Sequence, residues 1–307
     1  QNGINVGMIN FKGEMIDLIM DVPYELENTP EALDKLVQII KSFVERQKVD
    51  TSNIFNIGVN ISGRVNPHSG YSYSIFYFDE RPLTEILGEK LGYKVTIDND
   101  TRAMTYGEFL AGNFTKEKDI IFVNISWGLA IGIIINGRVY MGKSGFSGEL
   151  GHFKAFDNEI MCHCGKKGCL ETEVSGSALQ RKVIEMIEGG ASSILSEGGK
   201  NKEITLDRIL DAVAKEDVLC IELIEDIGKT LGEWLSGVIN IFNPEMLIVG
   251  GTLSVTGDYI MQPMISAIRK YSLNLVNKDT LITTSRLKEK VGIVGACMLA
   301  RLRVFEY

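Results

Sequence analysis

The 307-residue chain is 45% hydrophobic, enough to bury sizeable cores, and it is long for one domain, so two domains are expected. A net charge of −8 argues against a nucleic-acid surface on these residues, since phosphate binding needs clustered Lys and Arg. The longest apolar stretch, Ile120 to Ile135, is interrupted by Asn124, Ser126 and Gly128, so it reads as buried strands and no membrane span is expected.

Five cysteines with no signal peptide before them suit a reducing cytoplasm and metal-bound thiolates better than a disulfide framework. Cys220 and Cys297 fall in helical patterns, where a free cysteine serves as a small apolar residue.

In chain order, Ile4 to Ile9 and Met15 to Met20 read as strands around a turn at Phe11 to Glu14. No initiator methionine precedes Gln1, and a missing upstream piece is expected. Thr29 and Pro30 open a helix whose apolar face carries Leu33, Leu36, Val37, Ile40 and Phe43. Ile54 to Ile61 reads as a buried strand ending in the loop Ser62 to Asn66, and Pro82 opens a short helix through Leu91. The strand Val95 to Ile97 delivers Asn99 and Asp100 to its carboxyl end, the edge where open α/β sheets bind ligands. Asp100 is therefore a candidate base, and equally an N-cap for the helix that follows.

The second half begins at Ile120 with a hairpin of Ile120 to Val123 and Leu129 to Ile135, closed by the type I′ signal Asn136-Gly137. The intervening Ser126-Trp127-Gly128-Leu129-Ala130-Ile131-Gly132 is a weak phosphate cradle, because Trp127 and Ile131 are bulky where backbone N–H groups must approach an anion. Helices are expected from Ser177 to Glu188, Thr205 to Val213 and Val218 to Phe242, with a polar loop through Gly198, Gly199 and Lys200. The strand Met246 to Val249 leads into Gly250-Gly251-Thr252 and a helix near Asp258, a geometry that seats a nucleotide or simply turns. A strand near Leu281 to Ser285 and a helix containing Gly292, Gly295 and Ala296 close the chain.

Between these halves lies the chemistry, Gly148 to Glu171. His152, Cys162, Cys164 and Cys169 are the number and type of ligands that a closed tetrahedral zinc site requires. Glu149 and Glu171 bracket them, and His163, between two metal-directed cysteines, is expected to face away.

Gly148-Glu149-Leu150-Gly151-His152 followed by Cys162-x-Cys164-Gly165-x-x-Gly168-Cys169-Leu170-Glu171 resembles the signature and zinc motif of the ROK family of repressors, open reading frames and sugar kinases. Ile97 to Asp100 resembles the segment of its catalytic aspartate, and Asn243-Pro244 with Gly250-Gly251 its adenosine-side motif. The resemblance implies an α/β fold of the two-domain actin-like ATPase, sugar kinase and Hsp70 (ribonuclease H-like) type, with a sugar in an interdomain cleft. It places the smaller domain at 1–115 plus 291–307 and the larger, with the zinc loop, at 116–290. Carried over by position, Asn99, Asp100, Glu149, His152 and Glu171 would bind sugar hydroxyls, and in a kinase Asp100 would be the general base.

The departures point the other way. Trp127 stands where the kinases carry a threonine in the phosphate turn, Ala130 and Ile131 replace small positions, Thr101-Arg102 replaces Ala-Asn, and Gly250-Gly251 lacks a third glycine. The nucleotide positions Gly128, Gly132, Gly250 and Gly251 thus read as degraded, while every sugar-side residue is retained. The pattern resembles that of a cytoplasmic, sugar-sensing transcriptional regulator of the xylose or N-acetylglucosamine repressor type. It would hold structural zinc, form a homodimer or homotetramer, and contact DNA through an N-terminal domain outside these residues. The alternative is an ATP- and magnesium-dependent hexose or N-acetylhexosamine kinase.

Overall fold

The computed structural model describes residues 3–47, 49–111, 117–196 and 203–305. The loop expected through Gly198, Gly199 and Lys200 lies outside the described residues. Two compact units emerge. The first comprises Gln1–Lys116, Arg138–Ser147 and Arg286–Tyr307, and the second Glu117–Gly137 and Gly148–Ser285. The excursion Arg138–Ser147 belongs with the first unit, and the chain returns to that unit at Arg286.

In the first unit the strands Gly3–Ile9 and Met15–Pro23 pair antiparallel as a two-stranded sheet. The helix Pro30–Arg46 is set by its start: Thr29 Oγ1 accepts the Ala32 N–H at 3.2 Å, and Pro30 occupies a position whose N–H would have no partner. Leu33, Leu36, Val37, Ile40 and Phe43 form its buried face. The strand expected over Ile54 to Ile61 is shorter, Ile57–Ile61, because the Asp50 side chain caps a tight helical turn at Thr51–Asn53 just before it. Ile57–Ile61 pairs in parallel with Val95–Asn99, and the helix Leu83–Leu91 lies in the crossover between them. The helix Asp100–Ala111 follows directly, and Val291–Phe305 packs along it.

The second unit is built on four strands in the order Leu281–Thr284, Met246–Gly250, Ile120–Ile125, Leu129–Ile135, the first three parallel and the last antiparallel. Ile121, Val123, Leu247 and Val249 alternate onto a core shared with the long helix Val218–Phe242, through Ile227, Leu231 and Leu235. Asp217 caps that helix, accepting the Cys220 N–H at 3.0 Å, and Asn243 ends it in a left-handed conformation ahead of Pro244. One turn differs from expectation. Ile120–Ile125 and Leu129–Ile135 are joined by Ser126-Trp127-Gly128, while Asn136-Gly137, both at positive φ, makes the next turn into Arg138–Val139. The I′ signal was sound, but it marks the exit of the second strand. Among the described residues no helix is long and apolar enough to cross a membrane.

Candidate functional site

The loop from Gly148 is docked on the strand Leu129–Ile135. Ile131 N donates to Gly148 O at 2.9 Å, and Gly148 sits at φ +91° with a would-be Cβ 1.9 Å from Ile131 O, so only glycine permits this approach. The single turn Leu150–His152 then presents His152, and a turn closed by Cys162 N to Lys166 O (2.8 Å) and Gly165 N to Cys162 O (2.9 Å) presents the thiols.

The four soft ligands converge. His152, Cys162, Cys164 and Cys169 each place one ligand atom within 4.8 Å of the others. Cys164 Sγ lies 3.6 Å from Cys169 Sγ, and Cys162 Sγ lies 3.6 Å from His152 Nδ1. A tetrahedral zinc with ~2.3 Å bonds to sulfur separates its ligands by roughly 3.7 Å, so the donor set and spacing fit that ion. Burial pushes the Cys162 thiol up to about 12, a cost that a bound cation reverses by stabilising the thiolate.

Two carboxylates lie against this cluster. Glu171 is 7% exposed, yet both its oxygens are engaged: Oε2 accepts the Leu129 N–H at 2.8 Å and Oε1 faces His163 Nδ1 at 2.9 Å. Burial raises its pKa, but the His163 and Leu129 hydrogen bonds and the two imidazoles outweigh it and hold the group below the ordinary glutamate value. Glu149 Oε2 lies 3.6 Å from His152 Nε2, so the imidazole turns one nitrogen to the thiols and the other to a carboxylate. The expectation that His163 faces away fails. Its ring lies edge-on to His152 with centroids 5.1 Å apart, because the tight turn between Cys162 and Cys164 swings the intervening side chain back over Glu171.

In the first unit, Asn99 rather than Asp100 caps the helix: its Oδ1 accepts the Arg102 N–H at 3.0 Å and its Nδ2 donates to Gly63 O at 2.9 Å. That leaves Asp100 with Ser62 Oγ donating to Oδ2 at 2.6 Å and Thr101 N to Oδ1 at 2.7 Å. Asp100 is half-buried, and desolvation pushes its pKa up against those hydrogen bonds. Sequence reasoning missed the role of Arg102. Fully buried, it bonds Asp98 Oδ1 at 2.6 Å, Val65 O at 3.2 Å and Gly145 O, tying the strand end to two loops. The i,i+4 spacing of Asp98 and Arg102 across the strand–helix junction was the available signal.

The glycines expected on the nucleotide side all have close protein neighbours. Gly132 lies inside its strand opposite Phe122, Gly250 ends its strand against the Phe122 ring, and Gly251 turns at φ +89°. Gly128 gives room to Glu171, whose Oε2 lies 2.6 Å from where a Cβ would stand. The N-terminus of the helix Gly176–Glu188 is occupied by the chain itself: Gly176 N and Ser177 N donate to Ser126 O (2.8 Å) and Trp127 O (3.1 Å), and Ala178 N donates to Ser175 Oγ. Thr252 N donates to Ser126 Oγ at 3.1 Å. These N–H groups are not offered to an anion.

Residues 2–303 match the sequence model of the ROK family. The chain is 28% identical over 294 residues to the xylose repressor of Caldicellulosiruptor bescii, covering 95% of this chain and 74% of that protein. It is 26% identical over 310 residues to the glucokinase of Halalkalibacterium halodurans, covering 97% of this chain and 92% of the enzyme. Among solved structures it is similar to a ROK family transcriptional regulator, a homologue of the E. coli MLC protein, with a TM-score of 0.81 at 28% identity over 98% of this chain and 75% of that one.

Proposed function

The chain belongs to the ROK family, and from that premise we propose that it is the sugar-binding effector portion of a transcriptional regulator. The fold is the α/β actin-like sugar kinase architecture. The observation that carries the regulator reading is the self-satisfied turn at Ser126-Trp127-Gly128: its carbonyls consume the Gly176 and Ser177 N–H groups, and Trp127 projects from it half-exposed. A helix N-terminus that held a phosphate would need those donors free. The repressor relative supports the same reading, since DNA then binds through polypeptide outside these residues, which carry a net charge of −8.

The ligand in this proposal is a hexose, an aminosugar or a phosphate of either. Its hydroxyls would be taken by Asn99, Asp100, Glu149, His152 and Glu171, because carboxylates and an imidazole accept and donate in the paired geometry of vicinal diols. Zinc would be held by His152, Cys162, Cys164 and Cys169 and would supply the rigidity that fixes the His152 ring and the position of Glu171. A sugar that binds one conformational state more tightly than another shifts the population, and DNA affinity follows.

Calorimetric titration with a panel of hexoses, aminosugars and their phosphates tests the proposal; binding to none of them rejects it. Two observations favour the kinase reading: the glucokinase relative, matched over 92% of its length, and Asp100, whose pKa desolvation raises as suits a base that takes a hydroxyl proton. ADP release in a coupled assay over the same panel decides it, and turnover with any sugar would replace the sensor with an enzyme.

A further inference from the structure

Beside the four soft ligands, a second set of ligand atoms converges. His163 Nδ1 and Glu171 Oε1 lie 2.9 Å apart, and Cys162 Sγ lies 3.9 Å from the first and 3.8 Å from the second. His152 also brings a ligand atom within 4.8 Å of those of His163 and Glu171. A tetrahedral zinc with its usual bonds to nitrogen, oxygen and sulfur holds nitrogen and oxygen roughly 3.3 Å apart and either one about 3.6 Å from sulfur. Small side-chain rotations close the difference. An imidazole–carboxylate pair by itself accounts for the shortest of the three contacts, but not for a sulfur placed against both partners.

Two of the donors are fixed from behind. Glu171 Oε2 accepts the Leu129 N–H at 2.8 Å, which turns Oε1 toward His163, and the Cys162 backbone is held by its N–H on Lys166 O at 2.8 Å. His163 is the outer member, its side chain 70% exposed, so an ion reaches it from solvent.

We propose that His163, Glu171 and Cys162 form a second, weaker zinc site, with the Cys162 thiolate bridging to the ion of the four-ligand cluster and the fourth position open. The ion stands in place of the His163–Glu171 hydrogen bond. A mixed set of nitrogen, oxygen and sulfur suits zinc, whereas magnesium takes oxygen ligands. The site is weaker than the first because it adds two new ligands rather than four, and because two cations sharing a sulfur repel. Its Oε1 is an atom that the sugar reading gives to a hydroxyl, so surplus zinc and sugar exclude each other at Glu171. That exclusion rests on the proposed function; the site itself rests only on the first zinc.

The full chain, stripped and reloaded with one equivalent of zinc, is titrated with further zinc in a calorimeter, with bound metal counted by elemental mass spectrometry, alongside His163→Ala and Glu171→Gln. The expected result is a second equivalent bound at least about tenfold more weakly than the first and weakened at least about tenfold again by either substitution, the first equivalent being kept. Magnesium should not replace it. A single equivalent in the unsubstituted chain overturns the proposal, as does a second one that both variants retain, which would be an ion on another surface. A chain that takes up no zinc overturns the four-ligand cluster and this site together. With a sugar that the chain binds, saturating the second equivalent should lower sugar affinity at least about tenfold; unchanged affinity overturns the exclusion. Failure of every sugar to bind rejects the sugar reading and leaves the zinc count to decide the site.

Discussion

Gly128→Ala probes how the candidate site is held. The glycine is not at positive φ, so alanine brings no backbone strain, only a methyl group whose position lies 2.6 Å from Glu171 Oε2. A flexible side chain would swing aside, but this one is pinned by Leu129 N at 2.8 Å and His163 Nδ1 at 2.9 Å and is almost fully buried. Moving it breaks the bond to Leu129 and leaves a buried N–H or a displaced carboxylate. A hydrogen bond to a charged group is worth about 1.5–3 kcal/mol, and in a unit of this size each kcal/mol lowers Tm by about 2–4 °C. The expected loss is therefore about 3–12 °C, with sugar affinity down at least about tenfold if Glu171 is a ligand. Calorimetry on Gly128→Ala, Glu171→Ala and the double variant measures it. In the Glu171→Ala background the carboxylate that the methyl group meets is gone, so a coupling of about 1.5–3 kcal/mol is expected. Additive single effects would refute the reasoning, because they would mean that the carboxylate is not where the alanine methyl must go.

Other outcomes follow from the same geometry. Cys164→Ser, or chelation of the purified protein, should remove the metal and lower both Tm and sugar affinity, read by elemental mass spectrometry with calorimetry; unchanged affinity in a folded metal-free protein would confine the metal to a structural role. Arg102→Met should cost about 3 kcal/mol or more in urea unfolding, because the buried Asp98 keeps the Asn99 N–H at 2.8 Å but loses its close cation, leaving Arg303 at 3.7 Å. Replacing Asp98 by leucine in the same variant should recover part of that loss; no recovery would show that the backbone bonds to Val65 and Gly145, not the ion pair, carry the effect. Asp100→Asn should abolish sugar binding while raising stability at neutral pH. The folded-state pKa of Asp100 is raised, so its contribution is fully present below the unfolded value near 3.9 and is lost as pH rises through the folded value. The gain from asparagine should accordingly vanish in acid, and thermal melts from pH 3 to 8 that show no such trend would contradict the desolvation of this carboxylate.

Local chemistry determined what was legible from the residues alone. The spacing from His152 to Cys169 announces four soft ligands, Thr29-Pro30 announces a helix start, and Asn136-Gly137 announces a left-handed turn, because each depends on a few neighbouring residues and the structure keeps all three. Which partner each element meets is a different matter. Asn136-Gly137 turns the chain out of the second strand, since a turn signal does not say which strands it joins. Asn99 displaces Asp100 from the cap, a choice between adjacent carboxamide and carboxylate that only the Ser62 loop decides. His163 bends onto Glu171, and Arg102 disappears into Val65 and Gly145 as well as Asp98; apart from the i,i+4 pair with Asp98, these contacts span 8 to 43 positions of chain that no local pattern encodes. Gly128 reads as a remnant of a phosphate turn until Glu171 arrives beside it from the zinc loop. Short-range stereochemistry is written in consecutive residues. Pairing, burial and the electrostatics that burial creates come from residues distant in sequence, so they belong to the tertiary structure.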